Sequence, residues 1–227
     1  WQRERIRAKI ARVHSVLGEA DTAHSRATRP ADEGTDAVDF DAQLANLATI
    51  VARGEFEATC GALAEYVALW SRCQGDAVRR ARIEEQLGAT WTKVPMLVAI
   101  DARFDLAHAA LESGDTQAAR KWVHGVRDLM ALAQWDAGVE VGLRARIGST
   151  LHRAGDTDAG RLEIDGALAV FEREHEKIVN VERAGALRQV AEAWQSIGDT
   201  AAALRAYRRA LDEGVVNPNS LRTMSAA

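Results

Sequence analysis

The chain has 227 residues, of which 47% are hydrophobic and 27% charged, a balance typical of a globular protein with a substantial apolar core. Its 29 basic and 33 acidic residues give a formal net charge of -4, which offers no general attraction for polyanions and argues against nucleic acid as a ligand. No apolar run approaches the roughly 18 residues that cross a bilayer, so no membrane partner is expected within this segment.

The composition favours helices over strands. Only three prolines occur, whereas alanine, leucine, arginine and glutamate are frequent. These four residues are good helix formers, and no long alternation of valine, isoleucine and threonine competes with them. The sequence therefore predicts an all-α fold.

Five dipeptides of glycine and an acidic residue mark turns between helices. They are Gly18-Glu19, Gly54-Glu55, Gly114-Asp115, Gly155-Asp156 and Gly198-Asp199. Glycine can end the first helix in the left-handed conformation, and the acidic residue begins the second helix, where the helix dipole favours negative charge. Each turn therefore predicts one pair of helices, and the glycines are 36, 60, 41 and 43 residues apart.

The predicted elements follow the chain as about five helix pairs and one extra helix. Before residue 88 we expect helices at 1–17, 22–28, 37–53, 55–72 and 77–87. A loop covers 29–35, and the extra helix 77–87, which ends at Gly88, accounts for the spacing of 60. A link at 89–94 leads to pairs three to five, whose first helices begin near Pro95, Trp135 and Val179. The repeat domain thus spans 1–214, and the tail 215–227 is expected to be partly extended or disordered.

Each of the last three copies has a small residue seven positions before its glycine and another five positions after it. These residues are Ala107 and Ala119, Gly148 and Gly160, and Ala191 and Ala203. Small residues on both helices let the two backbones approach closely. Larger apolar residues, such as Trp194 and Tyr207 in the last copy, are expected to pack between successive pairs.

The last copy resembles a tetratricopeptide repeat. Packing positions of that family are matched by Leu187, Val190, Ala191, Trp194, Gly198, Ala203, Tyr207 and Ala210, and Pro218 follows slightly later than the family places its proline. The family repeat is about 34 residues long, and a HEAT-type repeat is about 40–47 residues long. The turns and the small residues favour the tetratricopeptide family. This resemblance implies a right-handed superhelical solenoid of antiparallel helix pairs.

The resemblance also implies a function, the binding of an extended peptide or a partner helix in a concave groove lined by the first helices. The matching positions are Asp101, Phe104, His108 and Leu111 in the third pair, Ala145, Ser149 and His152 in the fourth, and Arg188, Glu192 and Gln195 in the fifth. The Lys/Asn/Arg set with which some family members clamp a carboxylate terminus is absent. We therefore expect a protein or peptide partner other than a chaperone tail, and self-association through the tail 215–227 is a further possibility.

The sequence carries no persuasive catalytic or metal-binding pattern. The sequence has no HExxH, CxxC, Gly-rich phosphate loop or GxSxG, and its six histidines occur singly. The charged residues around His175 are interpreted as a solvated helix end, and the arginine-rich stretches 79–87 and 205–211 as solvated helix faces. Trp91 and Trp135 fall near helix junctions, where an exposed aromatic side chain would be a good anchor for a partner. We predict a non-enzymatic scaffold with no cofactor and no metal; the alternative is a sensor or regulatory module of a larger protein.

The two cysteines and the N-terminus bear on the compartment. Cys60 and Cys73 are 13 residues apart, too far for a disulfide on one straight helix, so both are predicted to be free buried thiols. Free thiols favour a reducing compartment, and the N-terminus is a charged helix and not a signal peptide. We expect a cytoplasmic protein. Because the sequence begins at Trp1 without methionine, removal of an upstream targeting segment is the alternative.

Overall fold

The structure is a computed structural model that describes residues 33–216, and all the regular structure in that range is helical. The all-α prediction is therefore confirmed for this part of the chain. The α-helices are α1 (Glu33–Arg53), α2 (Phe56–Arg72), α3 (Ala77–Thr90), α4 (Met96–Glu112), α5 (Thr116–Ala131), α6 (Ala137–Arg153), α7 (Thr157–Glu174), α8 (Asn180–Ser196) and α9 (Thr200–Val216). Short 3₁₀ turns lie at Trp91–Lys93 and His175–Lys177. The predicted first pair with its turn Gly18-Glu19, and residues 217–227 of the predicted tail, lie outside the described residues.

The four predicted turns that fall within the described range have the expected backbone. Their glycines adopt positive φ angles: 72° at Gly54, 78° at Gly114, 88° at Gly155 and 83° at Gly198. An acidic residue then occupies the N-cap of the following helix. The carboxylates of Asp115 and Asp199 accept hydrogen bonds from the amides of Ala118 and Ala202, at 2.9 and 3.0 Å. The predicted turn chemistry is confirmed at all four positions, although Glu55 and Asp156 make no such side-chain bond.

Three predicted boundaries were wrong by a few residues. Helix α1 already begins at Glu33, inside the predicted loop, and α9 continues past Gly214 to Val216. Helix α3 passes through Gly88 and ends at Thr90. An internal glycine costs a helix only about 1 kcal/mol, and burial of Leu87 and Thr90 on either side of Gly88 outweighs that cost.

The chain divides into two compact units at Ser113 and Gly114, so α1–α4 belong to unit 1 and α5–α9 to unit 2. In unit 1, helix α2 packs against α1, α3 and α4. The extra helix α3 contributes two completely buried side chains, Ile83 and Leu87. The indole nitrogen of the buried Trp70 in α2 donates a hydrogen bond to Glu84 in α3 at 3.0 Å. These contacts make α3 an integral part of the core of unit 1.

The two cysteines lie in unit 1, Cys60 within α2 and Cys73 directly after it. Both are buried and neither forms a disulfide, as predicted from their spacing. Burial, together with the nearby charge of Glu57, raises the pKa of the Cys60 thiol to about 11. A thiol with this pKa stays protonated at neutral pH and behaves as a small apolar core group.

Unit 2 contains two antiparallel helix pairs, α6–α7 and α8–α9, and α8 also packs alongside α6. Their common core is filled by completely buried side chains such as Ile164, Phe171, Leu187 and Val190. Trp194 is only 6% exposed and belongs to this core, which confirms its predicted packing role. Tyr207 is partly buried against the same core. A helical repeat architecture is therefore seen in unit 2.

Candidate functional site

A cleft of about 650 Å³ opens within unit 2 between the C-terminal end of α5, the first two thirds of α6 and one side of α7. Binding sites for small ligands have volumes of about 300–1,000 Å³, so the cleft is large enough to hold several side chains of a partner. Its apolar lining comes from Met130, Ala131, Ala133, Trp135, Ala137 and Ile147. Its charged lining comes from Arg127, Asp136, Glu140, Arg144, Glu163, Arg173, Glu174 and Lys177.

The connection between α5 and α6 forms one wall of the cleft. The indole nitrogen of Trp135 donates a hydrogen bond to the carbonyl oxygen of Met130 at 2.9 Å. This carbonyl lies in the last turn of α5, where it also accepts a long hydrogen bond of 3.4 Å from the Ala133 amide. The bond from the indole fixes the Trp135 ring beside the helix end, and Asp136 then occupies the N-cap of α6. An apolar ring is thereby held at the edge of the cleft.

Glu163 connects the three helices at the bottom of the cleft. Its carboxylate lies 3.2 Å from Arg144 in α6 and 3.3 Å from Arg127 in α5, while its own side chain is only 12% exposed. Arg144 also donates a hydrogen bond to Glu140 at 2.8 Å. Burial alone would lower the pKa of Arg144, but the hydrogen bonds and charges of Glu140 and Glu163 outweigh it and raise this pKa. The network holds α5, α6 and α7 at fixed positions around the cleft.

A second group of charges lies at the end of α7. Glu174 contacts Lys177 at 2.6 Å and Arg173 at 2.9 Å. The hydrogen bond from Lys177, followed by that from Arg173, lowers the pKa of Glu174. Together with the network around Glu163, the lining carries four basic and four acidic side chains. The cleft therefore has no formal net charge, although charged groups of both signs are exposed to a ligand.

The predicted groove residues of unit 1 all lie on α4 but differ in exposure. His108 is exposed, and Asp101 and Leu111 are partly buried. Phe104 is completely buried, so its side chain lies in the interior of unit 1 and not on the surface of α4. Helix α4 buries side chains on most of its circumference, including Ile100, Leu106 and Ala107, and Phe104 fills the interior with them.

Some of the predicted groove residues of unit 2 are exposed on the surface, whereas others are buried or contact a neighbouring helix. A Cβ atom placed on Gly160 of α7 would lie 2.7 Å from the His152 Cβ atom, so His152 lies against the second helix of its own pair. Gln195 similarly accepts a hydrogen bond from the Tyr207 hydroxyl at 2.9 Å. Ala145 is buried, and the partly buried Ser149 donates a hydrogen bond to the Arg146 carbonyl at 3.0 Å. The exposed residues Arg188 and Glu192 form an ion pair at 2.9 Å.

None of the predicted groove residues lines the cleft. Sequence reasoning missed Glu163 and its two arginine partners because they lie on three different helices, and no local spacing connects them. One signal did point to this region, the position of Trp135 near a helix junction. Trp91, the other junction aromatic, is partly buried, with the Arg103 guanidinium 4.0 Å from its ring centre.

A scan against protein-family models gave no match, and a search of curated proteins found no significant relative. The tetratricopeptide resemblance therefore stays a prediction from the sequence. Among residues 33–216, no group of three or more His, Cys, Asp and Glu side chains is arranged to hold a metal ion. Within the same range, every helix is too short or too polar to cross a membrane.

Proposed function

We propose that this protein is a non-enzymatic scaffold that binds a polypeptide segment of a partner protein, and that the cleft of unit 2 is the binding site. The observation that carries this proposal is the lining of the cleft. An indole ring and several small apolar groups lie beside four acidic and four basic side chains within about 650 Å³. A polypeptide offers both kinds of contact, apolar side chains and charges of either sign.

The charges of the cleft favour a particular kind of segment. Arg173 and Lys177 each pair with Glu174, and a ligand with both signs of charge can exchange these ion pairs for its own. A polyanion would meet as many carboxylates as basic groups, so nucleic acid is a poor fit for this cleft. We therefore expect a segment of mixed charge with an apolar residue that contacts Trp135.

The superhelical arrangement is also part of this proposal. First helices α6 and α8 pack alongside each other, as first helices do in a solenoid. Continuation of this arrangement would give the right-handed array that the tetratricopeptide resemblance implies. The cleft would then lie at one end of the α6–α7 pair and not on the surface formed by the first helices.

The proposal is tested by selecting ligands from a phage-displayed library of random peptides and measuring their affinities by fluorescence anisotropy. Ala133 is exposed and lines the cleft, so an Ala133→Trp change fills the binding space without altering the core. We expect this variant to bind the selected peptides at least about ten-fold more weakly than the unchanged protein.

Ala169→Trp is the matched control, because Ala169 is an exposed alanine of α7 that does not line the cleft. This variant should bind the peptides with unchanged affinity. The proposal is wrong if no peptide is enriched, or if the enriched peptides bind Ala133→Trp and the unchanged protein equally well.

A further inference from the structure

The last helix pair has a surface that corresponds to the stacking surface of the pair before it. The turn glycines Gly155 and Gly198 are 43 residues apart, so each residue of α6–α7 has an equivalent 43 positions later in α8–α9. In α6–α7 this surface packs against the following pair. We call the equivalent surface of the last pair the terminal face; it is formed by Val181, Gly185, Leu204, Leu211 and Val215.

In the α6–α7 pair the stacking surface is covered. A Cβ atom placed on Gly142 would overlap the carboxamide of Gln189, so α8 approaches α6 closely at this position. Leu168 of α7 packs against the core shared with α8 and α9. Side-chain pairs close the rim between α7 and the last helix pair: Arg161–Asp199 at 2.9 Å, His175–Glu213 at 2.8 Å and Arg209–Glu172.

No residue between 33 and 216 covers the terminal face. Within this range, a Cβ atom placed on Gly185, the equivalent of Gly142, would meet no atom within 4 Å. More than half of the surface of each apolar residue is exposed: 54% for Val181, 52% for Leu204, 69% for Leu211 and 63% for Val215. Leu204 and Val215 also stand where α7 has the ion-pairing residues Arg161 and Glu172. Within residues 33–216 the terminal face is thus an exposed apolar surface, whereas a repeat surface that faces water is typically polar.

We propose that the terminal face binds the terminal face of a second copy of this chain, with the two α9 helices packed antiparallel about a two-fold axis. Such an interface is isologous, so both copies use the same residues. The two-fold axis lies midway between the two α9 helices, at the level between Arg209 and Ala210. Leu204 of one copy then lies opposite Val215 of the other, and Leu211 contacts the same apolar stripe near its centre.

The charges beside the apolar stripe support this register. At 100° per residue, Arg208 and Asp212 lie on the same side of the stripe formed by Leu204, Leu211 and Val215. The two-fold axis keeps this side facing itself and brings Arg208 of each copy to within one residue, about 1.5 Å along the helix, of the level of Asp212 in the other. Two intermolecular ion pairs result, each between Arg208 of one copy and Asp212 of the other. In a parallel two-fold pairing, Arg208 of the two copies would lie on opposite sides of the stripe, and Arg208 would lie level with Arg208 and not with Asp212, so neither ion pair would form.

The size of the terminal face sets the expected strength of the dimer. Helix α9 has 17 residues and is therefore about 25 Å long. Contact along one helix, with a contribution from α8, falls below the roughly 1,600 Å² that stable interfaces bury in total. We expect a weak, reversible dimer with a dissociation constant in the micromolar range or above.

Sedimentation velocity over a wide range of protein concentration tests the dimer. The unchanged chain should show a concentration-dependent shift from monomer to dimer. Leu211→Glu places a charge at the centre of the contact and should raise the dissociation constant at least about ten-fold. Leu162→Glu is the matched control, since Leu162 is an exposed leucine of α7 outside the terminal face, and it should dimerise like the unchanged chain.

A charge exchange tests the register. Arg208→Asp and Asp212→Arg should each weaken self-association, because each variant opposes like charges across the two-fold axis. An equimolar mixture of the two variants should form a heterodimer as readily as the unchanged chain forms a homodimer, since both opposite-charge pairs are restored. A merely structural role of these exposed residues would not produce recovery on mixing.

Three outcomes would overturn the proposal: a chain that stays monomeric at all concentrations, dimers that Leu211→Glu does not weaken, or assemblies that grow beyond the dimer. If Leu211→Glu lowers the melting temperature of a chain that is monomeric, the terminal face is covered within the molecule. Peptide binding by the cleft uses other residues, so it can succeed or fail independently of this result.

Discussion

The helix pairs α6–α7 and α8–α9 have small residues at the same two positions of the repeat, but these residues differ between the pairs. In α6–α7 the positions hold Gly148 and Gly160, and a Cβ atom on Gly148 would lie 2.5 Å from the Gly160 carbonyl oxygen. In α8–α9 they hold Ala191 and Ala203, whose methyl groups are buried. The repeat pattern thus fixes which residues lie at the contact, while residue size sets how closely the backbones approach.

The largest effect expected from this comparison is that of Gly148→Ala. The added methyl group would overlap the backbone of α7, which cannot move without separating the helices. We expect a loss of about 3 kcal/mol in the free energy of unfolding, measured by urea denaturation. Gly185→Ala is the control, because Gly185 lies inside α8 with open space around it. That change should stabilise the protein by about 0.5–1 kcal/mol through helix propensity.

If Gly148→Ala and Gly185→Ala change the free energy of unfolding equally, helix propensity alone accounts for both changes. Helices α6 and α7 would then not approach each other closely at Gly148. A destabilisation by Gly185→Ala in the monomeric chain would instead show that the terminal face is occupied within the molecule.

A smaller loss is expected for Ala191→Leu in the other pair. Ala191 is completely buried, so the longer side chain must displace its neighbours in the shared core. Overpacking of this kind costs about 1–3 kcal/mol, again read from the midpoint of urea denaturation. Ala201→Leu, at an exposed alanine of α9, should leave the midpoint nearly unchanged. An unaltered midpoint for Ala191→Leu would refute the contact inferred from the repeat.

The features that could be predicted from the sequence are those that local chemistry decides. A glycine can end one helix with a positive φ angle, and a following aspartate can cap the start of the next. The turn at Gly198 was therefore predicted correctly. The small residues at fixed distances from the turns also indicated where helices touch. Gly88 was interpreted as a helix end by the same reasoning. The helix instead continues to Thr90, because Leu87 and Thr90 are buried in the core.

The cleft could not be predicted, because it depends on how helices are placed in space. Glu163 and Arg127 lie on α7 and α5, and no sequence period relates them. The exposed face of α4 could not be predicted from the sequence either. Alanines alternate with large apolar residues around that helix, so no polar stripe in the sequence distinguishes buried Phe104 from exposed His108.

The two pairs are also joined by one pH-dependent contact, which gives the smallest expected effect. His175, at the end of α7, lies 3.0 Å from Glu176 and 2.8 Å from Glu213 in α9. The hydrogen bond to Glu176 and then that to Glu213 raise the pKa of His175, although burial and Arg183 oppose this.

A raised pKa means that the folded protein binds this proton more tightly than the unfolded chain does. The resulting stability is fully present below the ordinary histidine pKa of about 6.5 and is lost as the pH rises through the folded value. The melting temperature of the unchanged protein should therefore exceed that of His175→Gln by more at about pH 5.5 than at about pH 8.5. His124→Gln, at an exposed histidine of α5, serves as the control for replacing a histidine by glutamine. A difference for His175→Gln that is constant with pH would mean that the contact with Glu213 does not depend on the charge of His175.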